Sequence, residues 1–476
     1  MDFPWTFFIH LGIVGIAILL ATIIRSKVRF FQQFLIPNAL TAGFILLFFY
    51  NFVAPKFGFS GEDLGALVYH LLSISFIAMT LRKAKTKGKR NSMFSTTVAV
   101  LSQYALQALL GLILTFIFIS TFLPDLFPAF GFLLPLGFVL GPGQAYAIGN
   151  GWEGLGFFGA GTIGLTFAAI GFLWACFGGV YLINHGIRKG WMTREQLKML
   201  DTSGVKTGIY PKGADLPEGS KLTTETEAVD SMTINFVFVA VIYLATFLFL
   251  KLLTFLLAFA GDLGNQLAVN LWGLSFIFAA IMAILSKGIF KGLKVDHVLD
   301  NGTLTRISGM SVDLMVAGAI GAISLVVVSQ YWLPIVIMCA VGGTVTIVTV
   351  PWICSRLFRD HKFHRTLIVY GACTGTMPTG LALLRVIDPE FVTPAASDYM
   401  FSSGITFVLA IPFIFAINLP VYARTTGNMA YFWAAVGVSA AYLLVVIILY
   451  AILSRKRAIA RPSNIWLKPS KRSREE

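Results

Sequence analysis

Two segments of the chain place glycine and proline beside neutral hydrogen-bonding side chains within long apolar stretches. The first reads Leu-Gly-Pro-Gly-Gln from Leu140 to Gln144, and the second reads Thr-Gly-Thr-Met-Pro-Thr from Thr374 to Thr379. Glycine and proline interrupt helices and leave backbone N–H and C=O groups without intrahelical partners. Freed carbonyl oxygens suit a small cation, and the N-terminus of the following helix suits a carboxylate. We therefore expect a site for Na⁺ and a small anion, formed by Gly141, Gly143, Gln144, Thr374, Gly375, Thr376 and Thr379.

Two ionisable side chains fall at membrane depth and are further candidates for this site. Asp313 lies six residues into an apolar run, and Arg385 lies six residues beyond Thr379. Charged groups at such depth are costly and usually face a cavity or a partner. Arg385 would bind a substrate carboxylate and Asp313 an ammonium group or Na⁺; alternatively they form a structural ion pair, or Arg385 reaches the headgroups. Two hydroxyls in matching apolar runs, Ser75 and Ser311, would add oxygen ligands or else hold helices together.

The composition places these segments in a membrane. Of the 476 residues, 57% are hydrophobic and 12% are charged, whereas soluble domains carry about 25% charged residues. The net charge of +14 sits in short clusters between apolar runs, which is typical of cytoplasmic loops and does not indicate nucleic-acid binding. The four cysteines all lie in apolar runs and match neither a disulfide framework nor a zinc site.

Eleven apolar runs are long enough to cross the membrane, because a helix needs about 20 apolar residues to span the hydrocarbon layer. Two further segments, 127–148 and 366–387, have the length of a span but are broken by glycine and proline. The eleven runs are 4–24, 34–53, 64–81, 93–119, 156–182, 232–250, 267–285, 307–328, 333–357, 401–417 and 431–453.

The distribution of basic residues predicts that the two broken segments are re-entrant hairpins. If both return to the side they entered from, 32 of the 36 Lys and Arg residues lie on one side of the membrane. If both cross, the split becomes 18 against 17. Because short cytoplasmic loops are enriched in Lys and Arg, we favour the hairpins, with the N-terminus outside and the C-terminus in the cytoplasm.

The resulting prediction is an all-α polytopic membrane protein with two inverted five-helix repeats. The order is a first repeat at 1–186, a polar cytoplasmic loop at 187–231, a second repeat at 232–425, an extra span at 426–454 and a basic cytoplasmic tail at 455–476. Inverted repeats with broken helices near the midplane are typical of secondary transporters. Alternatively, the two loops are unrelated, and their glycines and prolines only let helices kink or pack.

The broken segments resemble those of the bacterial sodium/glutamate symporters. The second carries Gly371, Gly375, Pro378 and Thr379, and the first leads into a glycine-rich span ending at Asn184-His185-Gly186. The resemblance implies Na⁺-coupled symport of glutamate or a similar small acid, and a homodimer in which a mobile bundle slides against a scaffold, as in the related 2-hydroxycarboxylate transporters. The first tip departs from the family at Pro142, Gln144 and Tyr146, and the eleventh span and tail are additions.

Other functions remain open at this point. A 2-hydroxycarboxylate carrier would use the same architecture, and a cation/proton exchanger would use several carboxylates or histidines within the spans. We do not expect an enzyme, since the sequence contains no HExxH motif and no Ser/His/Asp grouping. The expected partners are a small anionic acid, Na⁺ as the coupling ion and the lipid of the cell membrane, with no other cofactor.

Overall fold

The chain folds into helices throughout the part that the structure describes. The structure, a computed structural model, describes residues 5–34, 36–83, 90–191, 207–259 without 211, 215 and 217, then 261, 268, 271–388 and 393–467. All regular secondary structure within these ranges is helical, which confirms the predicted all-α class. Nine helices among the described residues are long and apolar enough to cross a membrane, or ten if one bent helix pair is a single span. The protein is therefore a polytopic helical membrane protein.

Apart from a five-residue helix at Arg29–Gln33, the first half of the chain contains five long helices and one pair of shorter ones. At about 1.5 Å per residue, neither short helix can cross a hydrocarbon layer of about 30 Å. In chain order, the helices are α1 (Thr6–Lys27), α2 (Asn38–Phe57), α3 (Glu62–Leu81), α4 (Arg90–Thr121), the short α5 (Pro128–Leu140) and α6 (Pro142–Glu153), and α7 (Ala160–Arg188).

The second half has the same succession of long and short helices, apart from an additional six-residue helix at Leu325–Gln330, and then adds a short and a long helix. The helices are α8 (Ser231–Ala258), α9 (Ser275–Gly292), α10 (Asn301–Gly321), α11 (Trp332–Leu357), the short α12 (Lys362–Thr374) and α13 (Met377–Arg385), α14 (Ala395–Ala416), α15 (Leu419–Thr426) and α16 (Ala430–Ser454). Each of the eleven predicted spans thus corresponds to a helix.

Two of these helices do not meet the requirements for a span on their own. The helix α14 bends by 43° between Ile411 and Phe413, and its two parts count as a span only when they are taken together with α15. The helix α10 is not among the nine apolar helices found in the described residues. The physical reason for α10 is its position, because it packs between α2 and α3 and needs less apolar surface for lipid. The expectation of eleven apolar spans is therefore too simple for this helix.

Six helices form one group around the contact between α3 and α10. The helix α2 packs against α10, α9 packs against α3, α1 packs against α2, and α8 packs against α9. At the crossing of α3 and α10, the Ser75 and Ser308 hydroxyl oxygens are 3.3 Å apart. These helices, α1–α3 and α8–α10, are called the crossing group below.

The remaining long helices surround the two short pairs. The helix α4 packs against α5, α14 and α16, and α11 packs against α12. Each short pair is a hairpin whose entry and exit lie together. Phe127, before α5, stacks on Phe157, after α6, with ring centroids 4.4 Å apart. In the second pair, Arg365 Nη1 of α12 donates to Asp398 Oδ2 of α14 over 2.7 Å. The helices α4–α7, α11–α14 and α16 are called the hairpin group.

The two hairpins enter the hairpin group from opposite ends of α11. The base of the first lies beside the start of α11, where the Phe130 and Tyr331 ring centroids are 5.7 Å apart. The base of the second lies beside the end of α11, where the Arg365 guanidinium is 5.1 Å from the Phe358 ring centroid. The tips of the hairpins therefore point toward each other along α11.

The C-terminal tail is docked at the base of the second hairpin, a contact that the sequence did not indicate. Arg356 Nη2 of α11 donates to the carbonyl oxygens of Ala460, Arg461 and Asn464 at 3.2, 2.9 and 2.9 Å. Trp466 stacks on Trp191 with ring centroids 4.3 Å apart. The tail is therefore fixed to α11 up to residue 467, and its remaining residues 468–476 lie outside the described part.

The polar loop before α8 packs against the start of α10 where it is described. The Thr223 and Thr224 amides donate to Ser231 Oγ at 2.8 and 3.1 Å, and the Lys221 amide donates to Asp300 Oδ2 at 3.2 Å. Residues 192–206 of this loop lie outside the described part. The second half of the loop thus belongs to the fold around α8 and α10.

Candidate functional site at the hairpin tips

The first tip is a one-residue break between two helices. The helix α5 ends at Leu140, α6 begins at Pro142, and Gly141 between them has φ 95° and ψ 175°. This region of backbone conformation is accessible without strain to glycine alone. The Gly141 amide still donates to Leu136 O at 2.9 Å, and the Ala145 amide donates to Gly141 O at 3.1 Å. A glycine is therefore required where the chain reverses.

The second tip is a two-residue break that carries hydroxyl groups. The helix α12 ends at Thr374 and α13 begins at Met377, so Gly375 and Thr376 connect them in a non-helical conformation. The Thr376 and Thr379 hydroxyl oxygens are 3.3 Å apart. The fully buried Thr374 hydroxyl donates to Tyr370 O at 2.8 Å, within its own helix. Two hydroxyls therefore remain at the tip itself, on Thr376 and Thr379.

The two tips meet. A Cβ atom at position 141 would lie 3.2 Å from Thr376 Cγ2 and 3.7 Å from both Gly375 O and Gln144 Oε1. The predicted site residues of the two tips, which are more than 200 positions apart in the sequence, are therefore neighbours. Thr379 joins them through its contact with Thr376. Together they present carbonyl, hydroxyl and amide oxygens, which are hard donors that suit cations such as Na⁺.

The tips lie at the boundary between the two helix groups. A Cβ atom at Gly143 would lie 2.6 Å from Leu72 Cδ1 of α3 and 2.7 Å from Met315 Sδ of α10. On the other side, a Cβ atom at Gly171 of α7 would lie 2.5 Å from Thr374 O. The first tip thus packs against the crossing group, and the second packs against α7 of the hairpin group.

The other four predicted residues lie on α3, on α10 and at the end of α13. Ser75 and Ser311 lie one helical turn from Leu72 and Met315, and Ser311 Oγ donates to its own helix at Ile307 O over 2.8 Å. Asp313 is exposed and lies about 200° around α10 from Met315, so it faces away from the first tip. Arg385, also exposed, is the last residue of α13 and lies at the base of the second hairpin.

A buried glutamine that the sequence reasoning missed supports the second tip. Gln107 of α4 is fully buried, and its Nε2 donates to Cys373 O at 3.2 Å and to Thr346 Oγ1 at 2.9 Å. Cys373 O is one of the last carbonyls of α12, which have no partner within the helix. The orientation of the amide follows from its partners, since a carbonyl only accepts hydrogen bonds. The sequence does contain a signal for this contact, namely a glutamine inside an apolar span. A side-chain amide buried there requires hydrogen-bond partners.

A buried ion pair at the base of the second hairpin was also missed. Arg365 and Asp398 are each 1% exposed, although Arg365 lies in a cluster of basic residues at 356–365 in the sequence. Asp388, which follows the second hairpin, is 5% exposed and accepts from the Thr393 amide at 3.0 Å. Removing one partner of a buried ion pair commonly costs about 3–5 kcal/mol. These groups therefore hold the second hairpin in place.

Comparison of the chain with protein families, with curated proteins and with solved structures finds no match. The function is therefore argued from the tips themselves. Within the described residues, no group of three or more His, Cys, Asp or Glu side chains is placed to hold a metal ion. The tips offer uncharged oxygen atoms instead.

Proposed function

We propose that this protein is a secondary active transporter that carries glutamate or a similar small acid across the cell membrane together with Na⁺. The observation that carries the proposal is the contact between two broken hairpin tips, with Gly141 beside Thr376. Broken helices that meet between two halves of a membrane protein are a recurring form of binding site in secondary transporters. A substrate bound there lies between the two entrances.

The chemistry of the tips supports an anion bound together with Na⁺. The helices α6 and α13 both begin at a tip, so their N-terminal amides and positive dipole ends face it. The hydroxyls of Thr376 and Thr379 and the amide of Gln144 supply neutral oxygens. None of the tip residues 141–144 and 374–379 has an ionisable side chain, which favours Na⁺ over a proton as the coupling ion. For this reason, we favour a symporter over a cation/proton exchanger.

The packing of the crossing group supports two inverted repeats, formed by α1–α7 and α8–α14. Under such a repeat, α3 corresponds to α10, α2 to α9 and α1 to α8. The contact between α2 and α10 then corresponds to the contact between α9 and α3. The contact between α1 and α2 corresponds to the contact between α8 and α9. The two hairpins correspond as well, and their opposite directions of entry fit the inversion.

We further propose that the hairpin group moves as a unit against the crossing group. The first tip touches α3 and α10 through Gly143, Leu72 and Met315, so sliding along this boundary would expose the tips to each side in turn. The helix α16 packs on α4 and would move with the hairpin group. A homodimer would hold the crossing group in the membrane while the hairpin group slides.

The orientation in the membrane follows from the basic residues. The ends of α1 and α3, the start of α10, the end of α11 and the C-terminal tail carry most of the positive charge. The bias toward Lys and Arg on the cytoplasmic side assigns these ends to the cytoplasm. The N-terminus is then outside, and the base of the second hairpin is inside.

Uptake into proteoliposomes tests the proposal. We expect labelled glutamate to accumulate under an inward Na⁺ gradient and to stop accumulating when K⁺ replaces Na⁺. Competition by unlabelled aspartate, citrate and malate identifies the preferred acid and separates an amino-acid carrier from a 2-hydroxycarboxylate carrier. Each of the other three acids is then also tested in labelled form. Uptake that is equally fast in K⁺, or the absence of uptake for all four acids, would rule out the proposed symport.

A further inference from the structure

A cavity of about 690 Å³ opens where α3 ends and α10 begins. Its walls come from α3 and the two residues after it, from α9 and α10 of the crossing group, from Gly219 of the polar loop and from α14 of the hairpin group. This volume is within the range of about 300–1,000 Å³ that is typical of small-molecule pockets. The cavity thus lies between the two helix groups, on the side that we assign to the cytoplasm.

Four cations line this cavity, namely Arg82, Lys83, Lys287 and Arg306, and none of the lining residues is acidic. Lys83 has a partner, because its Nζ is 2.7 Å from Asp296 Oδ2. Its ammonium group lowers the pKa of the Asp296 carboxyl, which keeps that ion pair charged. One of the four charges is therefore neutralised.

Among the described residues, the other three cations have no acidic partner. Lys287 Nζ donates to Thr80 O at 3.2 Å and to Arg82 O at 2.6 Å, and Arg82 Nη1 donates to Thr305 Oγ1 at 3.1 Å. In the described part of the chain, no carboxylate lies within ion-pair distance of Arg82, Lys287 or Arg306. Clefts lined by charge of one sign concentrate ions of the opposite sign. The cavity therefore favours an anionic group.

The cavity wall also has an apolar part, beside the uncharged polar side chains of Asn301, Thr305 and Ser397. Met79 of α3 and Met400 and Phe401 of α14 face the same space as the cations. Beyond the cavity, the exposed side chains of Met310 on α10 and Ile405 on α14 continue this apolar surface toward the lipid. A freely soluble acid gains little from such a wall, whereas a lipid with a charged headgroup and acyl chains fits both surfaces.

We propose that this cavity binds the phosphate headgroup of an anionic phospholipid of the cytoplasmic leaflet. Basic pockets between transmembrane helices on this side of the membrane commonly bind such headgroups. Arg82 and Arg306 contact the phosphate, and Met400 and Phe401 contact the upper part of the acyl chains. Since α14 belongs to the hairpin group and α3, α9 and α10 belong to the crossing group, the bound lipid bridges the two groups. The inference does not depend on which solute the tips bind.

Native mass spectrometry of the purified protein tests this site. The protein is equilibrated with equal amounts of phosphatidylglycerol and phosphatidylcholine in detergent, and the retained lipids are counted. We expect the wild type to retain phosphatidylglycerol in preference. The double variant Arg82→Gln/Arg306→Gln should retain at least about tenfold less phosphatidylglycerol, since each cation near a membrane surface adds to anionic-lipid binding. The variant should fold, because these two side chains donate only to Thr305 among the described residues.

A matched control removes the same charge outside the cavity. Lys291 and Lys294 are exposed and lie just beyond Lys287, but they do not line the cavity. The variant Lys291→Gln/Lys294→Gln should keep the preference for phosphatidylglycerol. Unchanged retention in the Arg82/Arg306 variant, or equal loss in the control, would overturn the site. Displacement of phosphatidylglycerol by inorganic phosphate would instead indicate a small-anion site and contradict the lipid assignment.

Discussion

At the first tip, Gly143 lies against Leu72 and Met315 of the crossing group, and Gly141 reverses the chain with a positive φ. At the second tip, the freed carbonyl of Cys373 accepts a hydrogen bond from Gln107, and two threonine hydroxyls face each other. The first tip thus depends on the absence of side chains, because neighbouring atoms occupy the space that they would fill. The second tip depends on polar groups that hold its open backbone.

This difference separates the roles of the two tips in the proposed carrier. The second tip contacts the hairpin group through α4 and α7 and would keep these contacts while that group moves. The first tip touches the crossing group and would slide past Leu72 and Met315. We therefore expect the hydroxyls of the second tip to bind Na⁺, and the glycines of the first tip to provide close approach and a smooth sliding surface.

The largest effect is expected from closing the first tip. Gly141→Leu forces a side chain into a strained backbone region, which costs about 1–3 kcal/mol, and places it between the tips. Initial rates of uptake into proteoliposomes should fall below detection. Gly427→Leu is the matched control, because Gly427 has φ 69° and no neighbouring atom within 4 Å of its Cβ position. Normal uptake by Gly141→Leu would show that the first tip has no need of its glycine.

A smaller and more selective effect is expected at the second tip. Thr379→Val keeps the shape of the side chain and removes one hydroxyl, so the Na⁺ concentration for half-maximal uptake should rise about tenfold, the value of one lost hydrogen-bonding group. Thr344→Val removes an exposed hydroxyl of α11 that bonds only its own helix at Ala340 O. An unchanged Na⁺ dependence in Thr379→Val, or an equal change in Thr344→Val, would contradict a Na⁺ role for the second tip.

The support behind the second tip should give a moderate effect. Gln107→Leu leaves the buried Cys373 carbonyl without its partner, at a cost of about 1–3 kcal/mol. The variant should have a lower melting temperature, and its rate of uptake should fall severalfold. Gln103→Leu changes a buried glutamine one turn away that bonds Ser102 and Thr349. The Gln103→Leu variant should have a changed melting temperature and an unchanged rate of uptake. If both variants transported equally well, Gln107 would have only a structural role.

The smallest effect on transport is expected at the base of the second hairpin. Arg356→Lys cannot reproduce the hydrogen bonds of Arg356 Nη2 to three tail carbonyls. The melting temperature should fall by a few degrees, as expected for about 1 kcal/mol in a protein of this size, with uptake near the wild-type rate. A loss of uptake with unchanged melting would mean that the tail acts in transport and not only in stability.

The helices and their breaks were predictable because their signals are local. Apolar length marks the spans, and glycine followed within three residues by proline marks the interruptions at Gly141 and Gly375. The partners of buried polar groups were not predictable from the sequence. The polarity of Gln107 shows that its side chain needs a partner when buried, but it does not show that the partner is Cys373. Arg365 reads as a loop cation until Asp398, 33 residues later, is brought against it. The docking of the tail on Arg356 depends on tertiary packing in the same way.

The most direct test of the account is equilibrium binding of labelled glutamate, aspartate, citrate and malate to the purified protein, in Na⁺ and in K⁺. We predict that at least one of these acids binds in Na⁺ and not in K⁺, that Gly141→Leu abolishes this binding, and that Gly427→Leu retains it. Binding that is independent of Na⁺, or that survives in Gly141→Leu, would contradict a shared site for acid and cation between the two tips.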